Sequence, residues 1–197
     1  MRRLARPLAV GTAAVGLGLC AWIAVTLVWG EPVTSLRTAH AQRELRRELA
    51  QASRTHPAAP RRIREGAVFG RIVIPKLGVR MVVVQGTSTA DLERGPGHYR
   101  ISAVPGSGGT VAIAGHRTTY LHPFRHIDRL RRGDAILLEM PYGIFRYAVS
   151  ERAIVSDRDW SILRRRRTET LVLTACHPLY SASHRIAVLA SLRGVQV

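Results

Sequence analysis

Three hydrophobic patterns succeed one another along the chain. Residues 8–29 are 22 consecutive positions without a charge but rich in apolar side chains. At 1.5 Å rise per residue, a helix of that length spans roughly 30 Å, about one bilayer core. The run predicts a transmembrane helix at 8–29, preceded by a short cytoplasmic tail at 1–7 that carries Arg2, Arg3 and Arg6. A cleaved signal peptide is the alternative, because Ala39-His40-Ala41 offers a small-x-small pattern. The apolar region of a signal peptide runs about 7–15 residues, and Glu31 and Arg37 lie between this run and that pattern. An uncleaved anchor is therefore the expectation. Arg37, Arg43, Arg46 and Arg47 flank its far side, so counting arginines does not orient it. A short tail before it and a long domain after it point to the amino terminus inside and the domain outside.

The second pattern, residues 30–65, reads as a stalk and linker. Residues 35–52 are rich in Arg, Glu, Ala and Leu, with Leu45 and Leu49 four apart and Glu44 placed to pair with Arg47, which predicts a helix that serves as a solvated spacer. Pro57 and Pro60 break it. From Gly66 the pattern changes again, to short runs rich in Val, Ile, Leu and aromatics. These predict strands at 68–74, 79–84, 110–114, 135–140, 144–155, 170–175 and 185–192. Turn residues separate them, among them Pro75, Gly95-Pro96-Gly97, Gly133-Asp134 and Pro141-Tyr142-Gly143. Two helical pieces fit between, 89–94 and 122–131, and in the second Phe124, Ile127 and Leu130 recur every three residues. Many short strands with regular turns indicate a mostly β domain over 66–197, a barrel or a sandwich.

Composition changes this picture little; charge adds to it. The hydrophobic fraction of 46% argues against wholesale disorder. Basic residues number 30, all but Lys76 being arginine, against 13 acidic ones, for a net charge of +17. The part up to residue 65 carries +7 and the rest +10, so anionic partners such as lipid headgroups, wall polymers or nucleic acid fit both. An arginine bias also follows from a GC-rich genome, and no aromatic–basic stacking motif is present, which argues against nucleic acid. Arg164 to Arg167 reads as a solvated face.

Cys20 and Cys176 are the two cysteines, which excludes a disulfide framework and a four-cysteine zinc site. A lone cysteine ending an apolar strand is ordinarily a small buried hydrophobe. Cys176, however, stands where its strand enters the loop His177-Pro178-Leu179-Tyr180, and an exported free thiol is worth keeping when it reacts. A reactive thiol needs a base or an electropositive setting. His116 follows the strand 110–114 after one glycine, also at a strand exit. His177 adjoins Cys176, but neighbouring side chains on an extended segment point apart. His122 and His126 are spaced for a metal on a helix, yet have no third ligand nearby, so no metal or other cofactor is expected. Arg185 opens the next strand; if the two strands are neighbours its guanidinium can reach the thiol and hold an oxyanion, the alternative being an ordinary surface arginine, one of 29. Ser107 lacks the G-x-S-x-G setting of a serine hydrolase.

These residues resemble the sortase family. Val172-Leu173-Thr174-Ala175-Cys176 is similar to its TLxTC-type motif, His116 to its histidine after a strand, and Arg185 to its arginine on the following strand. The stretches Ala114-Gly115-His116-Arg117-Thr118-Thr119-Tyr120, Gly95-Pro96-Gly97-His98-Tyr99 and Cys176-His177-Pro178 resemble class E, known from actinobacteria. The resemblance implies an eight-stranded β-barrel and a transpeptidase. Cys176 would attack the Thr–Gly bond of a C-terminal sorting signal, His116 would be the acid/base, and Arg185 would hold the oxyanion or substrate backbone. An amine of the peptidoglycan precursor would resolve the thioacyl enzyme. Partners would then be surface proteins bearing a sorting signal, that precursor, and the membrane. Tyr120, Thr118, Thr174 and Ala175 would contact substrate, and a tyrosine placed like Tyr120 implies a preference for Leu-Ala-x-Thr-Gly over Leu-Pro-x-Thr-Gly. Two positions depart from the motif: Val172 and Ala175 replace threonines. If the missing hydroxyl at 175 normally assists the oxyanion, Ala175→Thr should raise kcat/KM. Asp157 and Asp159 precede the arginine run, a poor setting for calcium, so none is expected to be needed. Two other readings use the same residues: a cysteine peptidase or thioesterase ending in hydrolysis, and a non-catalytic, membrane-anchored protein binding anionic wall polymer.

Overall fold

The protein is represented by a computed structural model that describes residues 2–29, 32–55, 58 and 62–196. Two helices come first, α1 (Arg2–Trp29) and α2 (Pro32–Arg54). Eight strands follow: β1 (Val68–Ile74), β2 (Val79–Gln85), β3 (Gly97–His98), β4 (Thr110–Ala114), β5 (Ala135–Met140), β6 (Gly143–Ser156), β7 (Thr170–His177) and β8 (His184–Gln196). A short helix, α3 (Thr89–Arg94), joins β2 to β3; its Ser88 and Asp91 bond reciprocally in a capping box. The strands close into a barrel in the order β1-β2-β3-β4-β7-β8-β6-β5. Closure leaves no exposed sheet edge, and barrels rather than sandwiches have that property.

Period-2 alternation explains where the core sits. Ile72 and Ile74 of β1, Ile136 and Leu138 of β5, and Leu171, Leu173 and Ala175 of β7 all point inward. Phe69, Phe124 and Tyr147 fill the middle with them. A smaller cluster lies outside the barrel wall, where Ala112, Val172, Ala187 and Leu189 meet Leu163, Tyr99 and Ile162. It covers the outer face of the β4-β7-β8 sheet, beside the segment that joins β6 to β7.

Several expectations change. β3 is an eighth strand of two residues that reads as a turn in the sequence, since Gly95, Pro96 and Gly97 crowd it. Instead of a helix over 122–131 the chain forms one 3₁₀ turn, Ile127–Arg129. Tyr120, Leu121 and His122 all have positive φ, which no right-handed helix tolerates. The recurrence every three residues is the 3₁₀ period itself, and Phe124, Ile127 and Leu130 are all buried. α2 is not a solvated spacer: Thr38, Gln42, Leu45 and Leu49 form a buried face. Leu45 and Leu49 pack on Val82 and Val84 of β2. Gln42 pairs with Val82 like a short strand, accepting from its N–H at 2.8 Å and donating to its carbonyl at 2.9 Å. Glu44 pairs with His40. As for an anchor, among the described residues no helix is long and apolar enough to cross a membrane; within the uncharged run the described side chains are those of 10–25, and all are exposed.

Candidate active site

β4 and β7 run parallel, with Ala114 level with Thr174. The Gly115 N–H continues that ladder, donating to the Thr174 carbonyl at 3.0 Å. His116 follows two residues past the end of β4, and Cys176 stands two residues beyond Thr174 on β7, at the same end of the sheet. On the other side β7 and β8 are antiparallel, and Cys176 stands opposite Arg185. Three neighbouring strands thus bring the three expected residues to one end of one sheet. Gly115 is required for this: a Cβ there would lie 2.5 Å from the buried Phe124 ring, which packs against the backbone just before His116.

Cys176 is half-buried, at the mouth of the outer face. Burial holds the His116 imidazole below the ordinary histidine range, and the Glu93 carboxylate partly opposes this. His116 is therefore mostly neutral near neutrality, able to take a proton and give it back. His98, the other histidine inside the domain's wall, is a structural group. It stacks on Phe69 at 3.9 Å, bonds Gln85 through Nδ1, and burial drives its pKa down to about 4. Arg185 donates through one nitrogen to the carbonyls of Ala182 and His184 at 2.9 and 3.0 Å. Its Nε and other terminal nitrogen carry the remaining donors.

Arg117 carries no role expected from sequence. Its guanidinium is 5% exposed, which demands that its charge be satisfied. It donates to Asp128 at 2.8 Å, to the Arg125 carbonyl at 3.2 Å, and to the Cys176 carbonyl and His177 Nδ1, both at 3.3 Å. Arg117 thereby ties the loop after β4 to the end of β7, holding the histidine-bearing segment against the cysteine-bearing one. Because an arginine only donates, His177 Nδ1 accepts and its proton sits on Nε2. Nothing in the sequence marks this arginine among 29; burial alone does.

The other expected substrate contacts separate. Thr174 shares the outer face with Cys176, and its hydroxyl bonds the Tyr99 hydroxyl at 3.0 Å. Tyr99 meets Trp160 edge-on at 6.3 Å, and Trp160 is exposed. Two aromatics therefore stand over the outer face of β7 at Thr174, two residues before the thiol, and neither was expected there. Tyr120 packs near His116, ring centroids 5.0 Å apart, and its hydroxyl donates to Glu93 at 3.0 Å. Thr118 lies half-buried on the same loop. Ala175 points the other way, into the barrel core, 3% exposed. A threonine there would aim its hydroxyl among apolar side chains, not at an oxyanion on the opposite face of β7. The expected gain from Ala175→Thr loses its physical basis. No group of three or more His, Cys, Asp or Glu residues able to hold a metal ion occurs among the described residues.

The arrangement supplies a strand-end thiol, an imidazole at the same end of the sheet, a cation opposite, and two aromatics over the outer face of the strand. Comparison with known proteins agrees in kind. Sortase D of Bacillus subtilis is 38% identical over 57% of this chain and 56% of its own. Sortase SrtE1 of Streptomyces coelicolor is 30% identical over 66% of this chain and 42% of its own. The matched segments thus span about half the length of these curated relatives. Among solved structures, the sortase D5 transpeptidase of Clostridium perfringens aligns with TM-score 0.68 and 28% identity over 81% of this chain and 100% of that one. Sortase E of Streptomyces avermitilis aligns with TM-score 0.63 and 33% identity over 68% of this chain and 93% of that one. The matches span more than one sortase class. The sortase domain model covers residues 72–193, from β1 to β8, and over that barrel the chain belongs to the sortase family.

Proposed function

We propose that this chain is a membrane-anchored transpeptidase that cleaves a C-terminal sorting signal of the LAXTG or LPXTG kind between Thr and Gly and passes the protein to a cell-wall precursor amine. The pairing of Cys176 with Arg185 across β7 and β8, with His116 just past the end of the neighbouring β4, carries this reading. The Cys176 Sγ, as thiolate, attacks the threonine carbonyl carbon. The carbonyl oxygen takes the negative charge opposite Arg185, whose guanidinium stabilises it. The C–N bond then breaks, and the His116 imidazolium gives its proton to the departing glycine amine. In the second half an acceptor amine attacks the thioester, yields a proton to His116, and expels the thiolate.

The substrate's residues before the scissile bond lie along the outer face of β7, by Thr174, Tyr99 and Trp160. Class E is the subtype proposed, with Tyr120 shaping the wall that prefers alanine to proline. The 22-residue uncharged run supports anchoring through α1, as do its exposed Val15, Leu17 and Leu19. In this arrangement the amino terminus is inside and the barrel outside. The test incubates the full chain in membranes with Leu-Ala-x-Thr-Gly and Leu-Pro-x-Thr-Gly peptides plus an amine, and weighs the products. Amide products that fail to form in Cys176→Ala support the proposal. Acids alone, with amine present, would assign a hydrolase, and no conversion would leave a polymer-binding protein. Protease added to intact protoplasts should degrade the barrel; its protection would reverse the topology.

A further inference from the structure

The contacts that run from α2 to His116 form one continuous path. The Thr38 hydroxyl of α2 donates to the Glu93 carbonyl at 2.7 Å. The Gln42 amide donates to the next carbonyl, Arg94, at 2.8 Å while its other bonds hold Val82. Gly95 leaves room for that amide, since a Cβ there would lie 2.3 Å from Gln42 Nε2. The end of α3 is thus clamped between α2 and β2. Clamped backbone fixes where the Glu93 side chain leaves, and Glu93 reaches across to accept the Tyr120 hydroxyl at 3.0 Å. Tyr120 opens the run of three positive-φ residues, Tyr120, Leu121 and His122. Such backbone persists when its surroundings over-determine it, and Arg117 secures the far side through the Arg125 carbonyl. The Tyr120 ring rests against His116.

We propose that Glu93 is a positioning residue for His116, acting through Tyr120, and that α2 is the brace that sets Glu93. The assignment rests on His116 being the acid/base of the reaction above. Glu93 acts in two ways. Its hydrogen bond fixes the Tyr120 ring and hence the imidazole packed on it. Its charge favours the imidazolium that forms when His116 takes the thiol proton. The titratable and charged groups that neighbouring elements carry toward His116 are Glu93 of α3, Arg117 and Tyr120 of its own loop, Cys176 and His177 of β7, and Arg185 of β8. Asp128 also stands on this side but is paired with Arg117, and Glu93 is the carboxylate whose charge acts on His116. The direction follows: without Glu93 the imidazole, already held low by burial, goes lower.

Three single variants of the full chain in detergent separate these effects. Glu93→Gln keeps an acceptor for Tyr120 and removes the charge. Tyr120→Phe keeps the charge and removes the hydrogen bond. Thr38→Val removes the brace from α2 with little change of volume. Side-chain imidazole titration by NMR, with the His116 signal assigned by its loss in His116→Asn, reads the charge without any turnover. In Glu93→Gln the His116 midpoint and the acid limb of kcat/KM should both move to lower pH. In Tyr120→Phe kcat should fall about tenfold with KM within about twofold, the size expected of a displaced catalytic group. In Thr38→Val kcat should fall about threefold, a smaller displacement of the same kind. A His116 midpoint at the wild-type pH in Glu93→Gln, or wild-type kcat in Tyr120→Phe, overturns the role of Glu93. Wild-type kcat in Thr38→Val overturns the brace. If the wild type itself transfers no peptide, the functional reading has failed, and the NMR midpoint still judges Glu93.

Discussion

The two faces of β7 are made by one stretch of chain and do different work. Leu171, Leu173 and Ala175 enter the barrel core, and Val172, Thr174 and Cys176 face outward. Inward positions meet side chains from strands all around the barrel, so their identity is set by volume and apolarity. Outward, Val172 is buried in the cluster outside the wall and Thr174 lies under Tyr99, and only at Cys176 does the face open, so chemistry sets identity at that last position. A strand separates stability from reactivity by one residue because successive side chains alternate. Substitutions of the inward residues should therefore change unfolding, and substitution of Cys176 should change turnover.

The largest effect belongs to the outermost residue. Cys176→Ala should abolish thioester formation and transfer, with a melting temperature within a few degrees of wild type, since one half-exposed sulfur is lost. A mass-trapped thioacyl adduct in that variant would break the comparison at its centre. The mirror experiment is Leu173→Ala, fully buried among apolar side chains. It should cost about 2–5 kcal/mol in denaturant unfolding, while the folded fraction keeps its kcat. A lost kcat without lost stability would show that the inward face also tunes the chemistry.

Ala175→Thr sharpens the divide, because its two neighbours in sequence both face outward. It should lower stability by roughly 1–3 kcal/mol, through an overpacked core and a buried hydroxyl, and leave kcat/KM unimproved. An increase in kcat/KM would mean that the position reaches the substrate after all. The smallest effect should come from Thr174→Val. It removes the 3.0 Å bond to Tyr99 from the outer face, for about 1 kcal/mol, and should raise KM severalfold more than it lowers kcat. An unchanged KM would remove Tyr99 and Thr174 from the groove.

Much of this was legible in order along the chain. Strands β1, β4 and β5 fall at the boundaries expected from their apolar runs, because a buried strand needs a continuous local supply of β-branched and aliphatic residues. The strand-exit positions of Cys176 and His116 were legible for the same reason. Arg117, Glu93 and Trp160 were not. A buried arginine and a surface one carry the same letter, and Glu93 is 23 residues from His116 in sequence.

The pattern of side chains by itself determined the β-rich domain, the uncharged leading run and the strand-exit positions of His116 and Cys176, because those depend on hydrophobic periodicity and turn residues that act over a few positions; Arg185 was singled out by the family resemblance. Only the tertiary structure decided which strands became neighbours, that α2 docks instead of standing off, and that Ala175 turns its back on Cys176. Those outcomes depend on barrel closure, where the register between β4, β7 and β8 is fixed by the packing of all eight strands at once, and no local run of residues carries that information.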